Sequence, residues 1–227
     1  MRGNTPLRER RLHKVIVWDV ATRLFHWLMV ALLIVCYLSW RVNWMDWHAW
    51  TGDALLALVF FRLLWAFFGS ETARFSSFLA SPHAGARYLG SLVGRQPDHQ
   101  VGHNPVGGWM VLLMLALLLA EALTGVYVLN DVANEGPWTE TVPAAVANLI
   151  TDLHLYLWDA LLIAAIVHVL AILLYAALLR HDLVTPMITG SKRLPAGTKT
   201  PRLASAARAA FLLGCSALAA AALAIYL

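Results

Sequence analysis

Long apolar segments constrain this chain more than any other feature of its sequence. Four of them cover about residues 24–40, 54–68, 106–129 and 153–179, and a fifth, 204–227, is rich in alanine. A helix needs roughly 20 apolar residues to cross a hydrocarbon core of about 30 Å. The sequence therefore predicts an all-α integral membrane protein, a four-helix transmembrane bundle with a fifth transmembrane helix at its carboxyl end.

The composition agrees with a membrane location. Of the 227 residues, 60% are hydrophobic and 13% are charged, which is far from the balance of a soluble domain of this size. We expect four parts: a basic amino-terminal arm at 1–14, the four-helix domain at 15–189, a linker containing Pro, Gly and Lys at 190–203, and the fifth helix at 204–227.

The positions of the basic residues predict the orientation of the helices. All of the 17 Lys and Arg except Arg41 and Arg62 lie in or beside the amino-terminal arm, between the second and third segments, or after the fourth. The loop at 130–152 on the opposite side has only acidic charges, at Asp131, Glu135, Glu140 and Asp152. Because Lys and Arg collect on the cytoplasmic side, we expect a multi-pass protein of the bacterial inner membrane with a cytoplasmic amino terminus. This topology explains the basic residues through membrane lipid and leaves little support for nucleic acid binding.

Four of the nine histidines lie in or at the edge of the apolar segments, where an ionisable side chain is costly and marks a functional candidate. His154 and His168 are 14 residues apart. That spacing is about four helical turns and about 21 Å of rise, so both share one face of the fourth helix at different depths. His26 lies near the cytoplasmic end of the first helix, and His48 stands at the outer entrance of the second. The depths match in pairs, although a hydrogen bond between helices explains any one histidine equally well.

Two b-type haems would account for these pairs. Imidazole is a good axial ligand for haem iron, and cofactor sites in bundles are built from side chains on facing helices. We predict an inner pair, His26 and His168, and an outer pair, His48 and His154, each holding one haem b. No Cys-x-x-Cys-His motif is present in the sequence, so any haem is held without a covalent link to cysteine. With both axial positions filled, the default chemistry is electron transfer.

Five further residues are predicted to contact the haems. Gly52 and Gly125 would let a porphyrin approach the backbone, although packing glycines are common in membrane helices. Arg23 and Arg62 are predicted to pair with propionates of the inner haem, and Arg41 with those of the outer haem. The alternative for these arginines is a side chain that extends to lipid headgroups.

For the other ionisable residues, the sequence gives weaker indications of a function. Glu121 and Asp159, inside the third and fourth segments, are candidates for proton relays, with a helix cap or a hydrogen bond to tryptophan as the alternative. The other five histidines fall in polar segments and are expected to be solvated: His13, His83, His99, His103 and His181. Of these, His103 and His181 flank helix ends and are secondary candidates for a quinone pocket.

Several motifs together carry a family resemblance. Phe25-His26-Trp27 follows the basic arm, Gly52 comes four residues after His48, and Arg62-Leu63-Leu64-Trp65 closes the same segment. Gly102-His103-Asn104-Pro105 leads into the third segment, and Leu123-Thr124-Gly125 lies near its end. Over about residues 12–192, this ordered set resembles the bacterial cytochrome b561 and nickel-iron hydrogenase b-type cytochrome family. The formate dehydrogenase gamma subunit is a more distant relative.

The resemblance implies di-haem electron transfer between a periplasmic redox protein and a membrane quinone, with the quinone usually near the inner haem. It puts His26, His48, His154 and His168 on the family's ligand positions. Glu121 departs from the pattern, since an uncharged polar residue is expected there.

Three functions remain open from the sequence. The first is electron transfer between the quinone pool and a periplasmic c-type cytochrome, hydrogenase or dehydrogenase subunit. The second is a self-contained superoxide:quinone oxidoreductase, which would need a positive approach for the anion on the outer side, where the loops are acidic. The third is a haem-free transporter whose histidines bind metal ions or protons, although the repeated halves and broken helices of many transporters are not evident in the sequence.

Overall fold

The computed structural model describes residues 12–92, 100–129 and 135–225. Basic residues of the predicted arm and of the segment between the second and third spans lie outside these ranges, as do His99 and Asp131; the basic residues are Arg2, Arg8, Arg10, Arg11 and Arg95. Five of the described helices are long and apolar enough to cross a membrane, which confirms the all-α membrane fold. They are α1 (Val20–Arg41), α2 (Met45–Phe68), α5 (Pro105–Gly125), α6 (Ala144–Leu174) and α8 (Ala206–Ile225).

Shorter elements connect the long helices. A 3-10 turn (Glu71–Ala73) and two helices, α3 (Phe75–Phe78) and α4 (Pro82–Leu92), follow α2. Another 3-10 turn, Thr139–Thr141, precedes α6, and a π-helical turn, Tyr175–Leu179, extends it. The chain then forms α7 (Val184–Thr189), and two strands, β1 (Leu12–Ile16) and β2 (Ser191–Pro195), complete the fold.

Side-chain caps mark the starts of α1 and α5. Asp19 is the N-cap of α1 and accepts a hydrogen bond from the Thr22 backbone N–H at 2.7 Å. Asn104 caps α5 in the same way, with Pro105 in the first turn, where proline is favoured. Helix α2 begins at Met45, nine residues before the predicted segment, so His48 lies in its first turn.

Helix α2 is the centre of the bundle. It packs against α1, α5 and α8, while α5 also packs against α6. Its apolar contacts form a core whose buried members come from four helices: Met29, Leu55, Leu58, Val59, Leu118 and Leu161. The four helices α1, α2, α5 and α6 therefore pack around a shared apolar core.

The fifth segment packs on the same central helix. Helix α8 lies against α2 and touches α1, and both of its ends are fastened to other parts of the chain. Arg208 donates to the Phe68 carbonyl at 3.2 Å, and Trp138 donates from Nε1 to the Leu223 carbonyl at 2.7 Å. The structure thus assigns α8 a packing role that the sequence left open.

A two-stranded antiparallel sheet joins the two ends of the four-helix region. Leu12 pairs with Pro195 and Ile16 with Ser191. Strand β1 thus lies at the end of the predicted amino-terminal arm, and β2 lies in the predicted linker. Its buried face adds Val15 and Leu194 to a small core with Trp18. We call the side of the bundle that carries this sheet the inner side, and the side with the α1–α2 turn the outer side.

Trp65 is expected to be a main source of stability at the inner end of α2. It is 1% exposed, stacks on Phe61 at 5.5 Å, and donates from Nε1 toward Thr22 Oγ1 at 3.2 Å. Substituting a buried tryptophan by alanine leaves a cavity and costs about 3–5 kcal/mol. Thermal unfolding in detergent should therefore show a clearly lower Tm for Trp65→Ala than for Trp50→Ala, since Trp50 is 61% exposed on the same helix. Equal Tm values for the two variants would contradict this packing.

Candidate haem sites

The outer pair of histidines has the spacing of two ligands to one metal. His48 on α2 and His154 on α6 have ring centroids 6.4 Å apart and ring planes at 90°. A histidine nitrogen binds a first-row metal such as zinc at about 2 Å, so two imidazoles on opposite sides of one metal have centroids about 6 Å apart. The observed separation fits a bis-histidine haem.

Hydrogen bonds orient both outer rings. His48 Nδ1 lies 3.0 Å from the Cys36 carbonyl, and His154 Nδ1 lies 3.0 Å from the Glu121 carbonyl. Because a carbonyl oxygen only accepts, each Nδ1 carries the proton and each Nε2 keeps its lone pair for a metal. This is the arrangement that fixes the tautomer and raises the basicity of histidine ligands.

The two predicted glycines have different surroundings. A methyl group built at Gly52 meets nothing within 4 Å among the described atoms beyond its own stretch of helix, whereas one at Gly125 lies 3.3 Å from His154 Cε1. Gly52 therefore borders open space, which a flat ring could use. Gly125 instead allows His154 to approach α5 closely, a contact that the sequence did not predict.

Glu121 lies beside the outer pair. Its Oε1 is 3.5 Å from His154 Nε2, and its Oε2 is buried without a hydrogen-bond partner in the described ranges. The side chain is thus neither a helix cap nor bonded to a tryptophan there. Thr124, one turn along α5, adds a hydroxyl 3.0 Å from His154 Nδ1.

The inner pair is also brought together. His26 on α1 and His168 on α6 lie close enough to interact electrostatically. The His26 ring packs edge-on against Trp27 at 4.9 Å, and its Nδ1 is buried without a partner within the part of the chain described here. The inner pairing stays a prediction, and among the described residues these two histidines lack the backbone hydrogen bonds of the outer pair.

The predicted arginines lie at the ends of the bundle. Arg62 is 3% exposed and donates from Nη1 to the Ala73 carbonyl at 3.2 Å. Arg23, one turn before His26, donates from Nη1 to the Ile188 carbonyl at 2.6 Å. On the outer side, Arg41 is exposed and lies over the Trp40 ring at 5.7 Å. Their pairing with propionates stays a prediction.

His103 is not solvated, and the sequence-based expectation for it was wrong. It lies between the rings of Trp18 and Phe78, with centroid distances of 4.6 and 4.8 Å. Burial, with the nearby charges of Arg62 and His168, lowers the pKa of His103 to about 3. The position directly before α5 gave no sign of this, because both aromatic partners come from distant parts of the sequence.

Apolar side chains separate the two pairs. Leu58, Leu118 and Leu161 are buried in the central core, and Tyr37 of α1 stacks on Trp158 of α6 at 5.1 Å with ring planes 11° apart. In the described residues, no group of three or more His, Cys, Asp and Glu could hold a bare metal ion. A porphyrin supplies four nitrogens of its own, so two imidazoles complete its iron.

Comparison with known proteins agrees with this geometry. Residues 17–190 match the family model described as prokaryotic cytochrome b561. The chain belongs to the prokaryotic cytochrome b561 family. It is thus a prokaryotic multi-pass membrane protein. Helix α8 lies beyond the matched residues.

A curated relative carries a hydrogenase name. The chain is 26% identical over 162 residues to the probable Ni/Fe-hydrogenase B-type cytochrome subunit of Rhizobium leguminosarum bv. viciae. The match covers 64% of this cytochrome b561 chain and 66% of the relative, just under two thirds of the relative's length. No solved structure gives a significant match.

If a haem binds at the outer pair, filling the space beside Gly52 is expected to exclude it. Gly52→Leu is expected to fold, because a Cβ at this position meets nothing within 4 Å among the described atoms beyond its own helix, and its side chain would enter the space available to a porphyrin. Gly214→Leu is the matched control, since Gly214 is an exposed glycine of α8 with equally open surroundings. A haemochrome count on purified protein should fall only for Gly52→Leu. Full haem content in that variant would show that the cofactor does not use this space.

Proposed function

We propose that this cytochrome transfers electrons across the membrane between a periplasmic redox partner and the quinone pool. Its inner haem b would be held by His26 and His168, and its outer haem b by His48 and His154. The observation that carries the proposal is the outer pair, whose rings are 6.4 Å apart with both Nδ1 atoms turned to backbone carbonyls. Haem iron held by these histidines would supply one-electron transfer.

Helix α6 supports two sites rather than one. His154 and His168 lie within one unbroken helix, and their 14-residue spacing puts both on one face about 21 Å apart along the axis. Helices α1 and α2 run in opposite directions through the membrane, so His26 and His48 lie at opposite depths. Each histidine of α6 thus has a partner at its own level.

The proposed orientation puts the inner side in the cytoplasm. Ten described basic residues lie on the inner side. On the outer loops and helix ends, the described residues include one basic residue, Arg41. Such an asymmetry is typical of membrane proteins whose basic side is cytoplasmic. The inner basic residues are Lys14, Arg23, Arg74, Arg87, Arg180, Lys192, Arg193, Lys199, Arg202 and Arg208.

We place the quinone near the inner haem, at the end of α6. Tyr175 follows His168 by seven residues, so it lies on the same face about 10 Å further toward the inner side. Its hydroxyl donates to the Tyr88 hydroxyl of α4 at 3.4 Å, and its ring lies 6.2 Å from that of His181. A π-helical turn begins at Tyr175, and such turns are frequent at functional sites. Phenol and imidazole groups here would exchange protons with a reduced quinone.

The outer surface favours a basic partner. Glu135, Glu140 and Asp152 lie on the described outer loop and the start of α6, and their charges would attract a positive patch on a c-type cytochrome, hydrogenase or dehydrogenase subunit. The same charges would repel superoxide, which makes a self-contained superoxide:quinone oxidoreductase the weaker candidate.

Quinone should react through the inner site alone. With the haems reduced by dithionite and the excess removed, mixing with a short-chain ubiquinone should reoxidise both haems of the wild type. His48→Ala, which lacks the outer pair, should reoxidise its remaining haem at the wild-type rate. His168→Ala should keep its remaining outer haem reduced on that timescale, as followed by absorbance in a stopped-flow instrument. Equally fast reoxidation in His168→Ala would place the quinone elsewhere.

A further inference from the structure

Three buried nitrogen atoms on the inner side of the bundle lack a hydrogen-bond partner among the described residues. His26 Nδ1, Arg23 Nε and His103 Nδ1 are all enclosed, and within residues 12–92, 100–129 and 135–225 none has a hydrogen-bond partner. A polar group without a partner costs free energy wherever water is excluded. At the outer pair, by contrast, both Nδ1 atoms are bonded to carbonyls. The inner site is therefore short of hydrogen-bond acceptors.

His103 and Arg62 are held on the same aromatic ring. The His103 centroid lies 4.8 Å from that of Phe78, and Arg62 Cζ lies 6.0 Å from the same ring centre. His103 also lies within electrostatic reach of His168. This puts an imidazole and a guanidinium together on the inner side of the inner pair.

The local charges indicate which acceptor is missing. Asp19 is the acidic group that interacts with Arg62, and its carboxylate already accepts from the Thr22 backbone N–H at 2.7 Å, from Thr22 Oγ1 at 2.8 Å and from Trp65 Nε1 at 3.4 Å. Asp19 is thus the acidic neighbour of Arg62 among the groups described, and its carboxylate already accepts from three other donors. Guanidinium groups pair with carboxylates and phosphates, so the missing acceptor is an anion of this kind, and a haem propionate is the carboxylate that the proposed cofactor would bring.

We propose that His103 donates a hydrogen bond to a propionate of the inner haem, alongside Arg62 and Arg23. The inference rests on the proposed two-haem function, and it adds a residue outside the membrane helices to the inner site. Burial keeps the His103 ring neutral, so it has one N–H to donate. Its aromatic partners Trp18 and Phe78 fix the ring and make it a positioning residue for the haem edge.

Two substitutions separate hydrogen bonding from packing. His103→Phe keeps an aromatic ring between Trp18 and Phe78 but removes the donor, and His103→Gln keeps an N–H. Each is made in a His48→Ala background, which retains the inner pair alone. Because hydrogen bonds to charged groups are stronger than neutral ones, His103→Phe should release its haem to apomyoglobin about tenfold faster than the parent, and His103→Gln should restore much of the difference. The midpoint potential of that haem should also fall in His103→Phe, since the propionate charge is less well compensated when the haem gains an electron.

The controls assign the effect to one haem. In a His26→Ala background, which retains the outer pair, His103→Phe should leave haem transfer unchanged, and so should His83→Phe on the exposed face of α4 in either background. An unchanged transfer rate and potential for His103→Phe in the inner-haem protein would overturn the proposal. Slower quinone reoxidation with haem retention and potential unaltered would also overturn it, and would assign His103 to the quinone. If the His48→Ala parent holds no haem, the two-haem function itself fails and the proposal with it.

Discussion

The requirement that a buried imidazole satisfy both ring nitrogens organises the centre of this molecule. A histidine in a hydrocarbon environment is costly unless its donor and its lone pair both have partners. At the outer pair, the carbonyls of Cys36 and Glu121 take the two Nδ1 protons, which leaves two lone pairs to be shared by one metal. The hydrogen bonds reach from α2 to α1 and from α6 to α5, so helix packing and ligand geometry are set together.

The inner and outer sites solve this requirement differently. The outer rings are fixed by backbone carbonyls, which are present whether or not a cofactor is bound. Among the described residues, the inner site instead has buried nitrogen atoms without partners at His26, Arg23 and His103, which an anionic group of a bound cofactor would satisfy under our proposal. Ligands with strong Nδ1 hydrogen bonds are more basic and favour the oxidised metal. Haems bound at the two proposed sites should therefore differ in potential because of the protein and not because of the ligand type.

Much of this architecture was predictable from local patterns. Hydropathy identifies the five spans, and the 14-residue spacing on α6 together with the antiparallel α1 and α2 gives the pairing of histidines. Other features depend on contacts between distant segments and have no local signal. The β1–β2 sheet joins strands about 175 residues apart in the sequence, and the burial of His103 needs rings from Trp18 and Phe78. The early start of α2 was missed because residues 45–53 mix Trp with Asp and His, which lowers their hydropathy.

The central claim is that one helix, α6, supplies a ligand to each of two haems. The most direct test is a pyridine haemochrome count combined with low-temperature electron paramagnetic resonance on the wild type, His154→Ala and His168→Ala. The account predicts two haems b per chain with two distinct low-spin ferric signals, and the loss of a different signal in each variant. One haem per chain in the wild type, or the loss of the same signal in both variants, would contradict it.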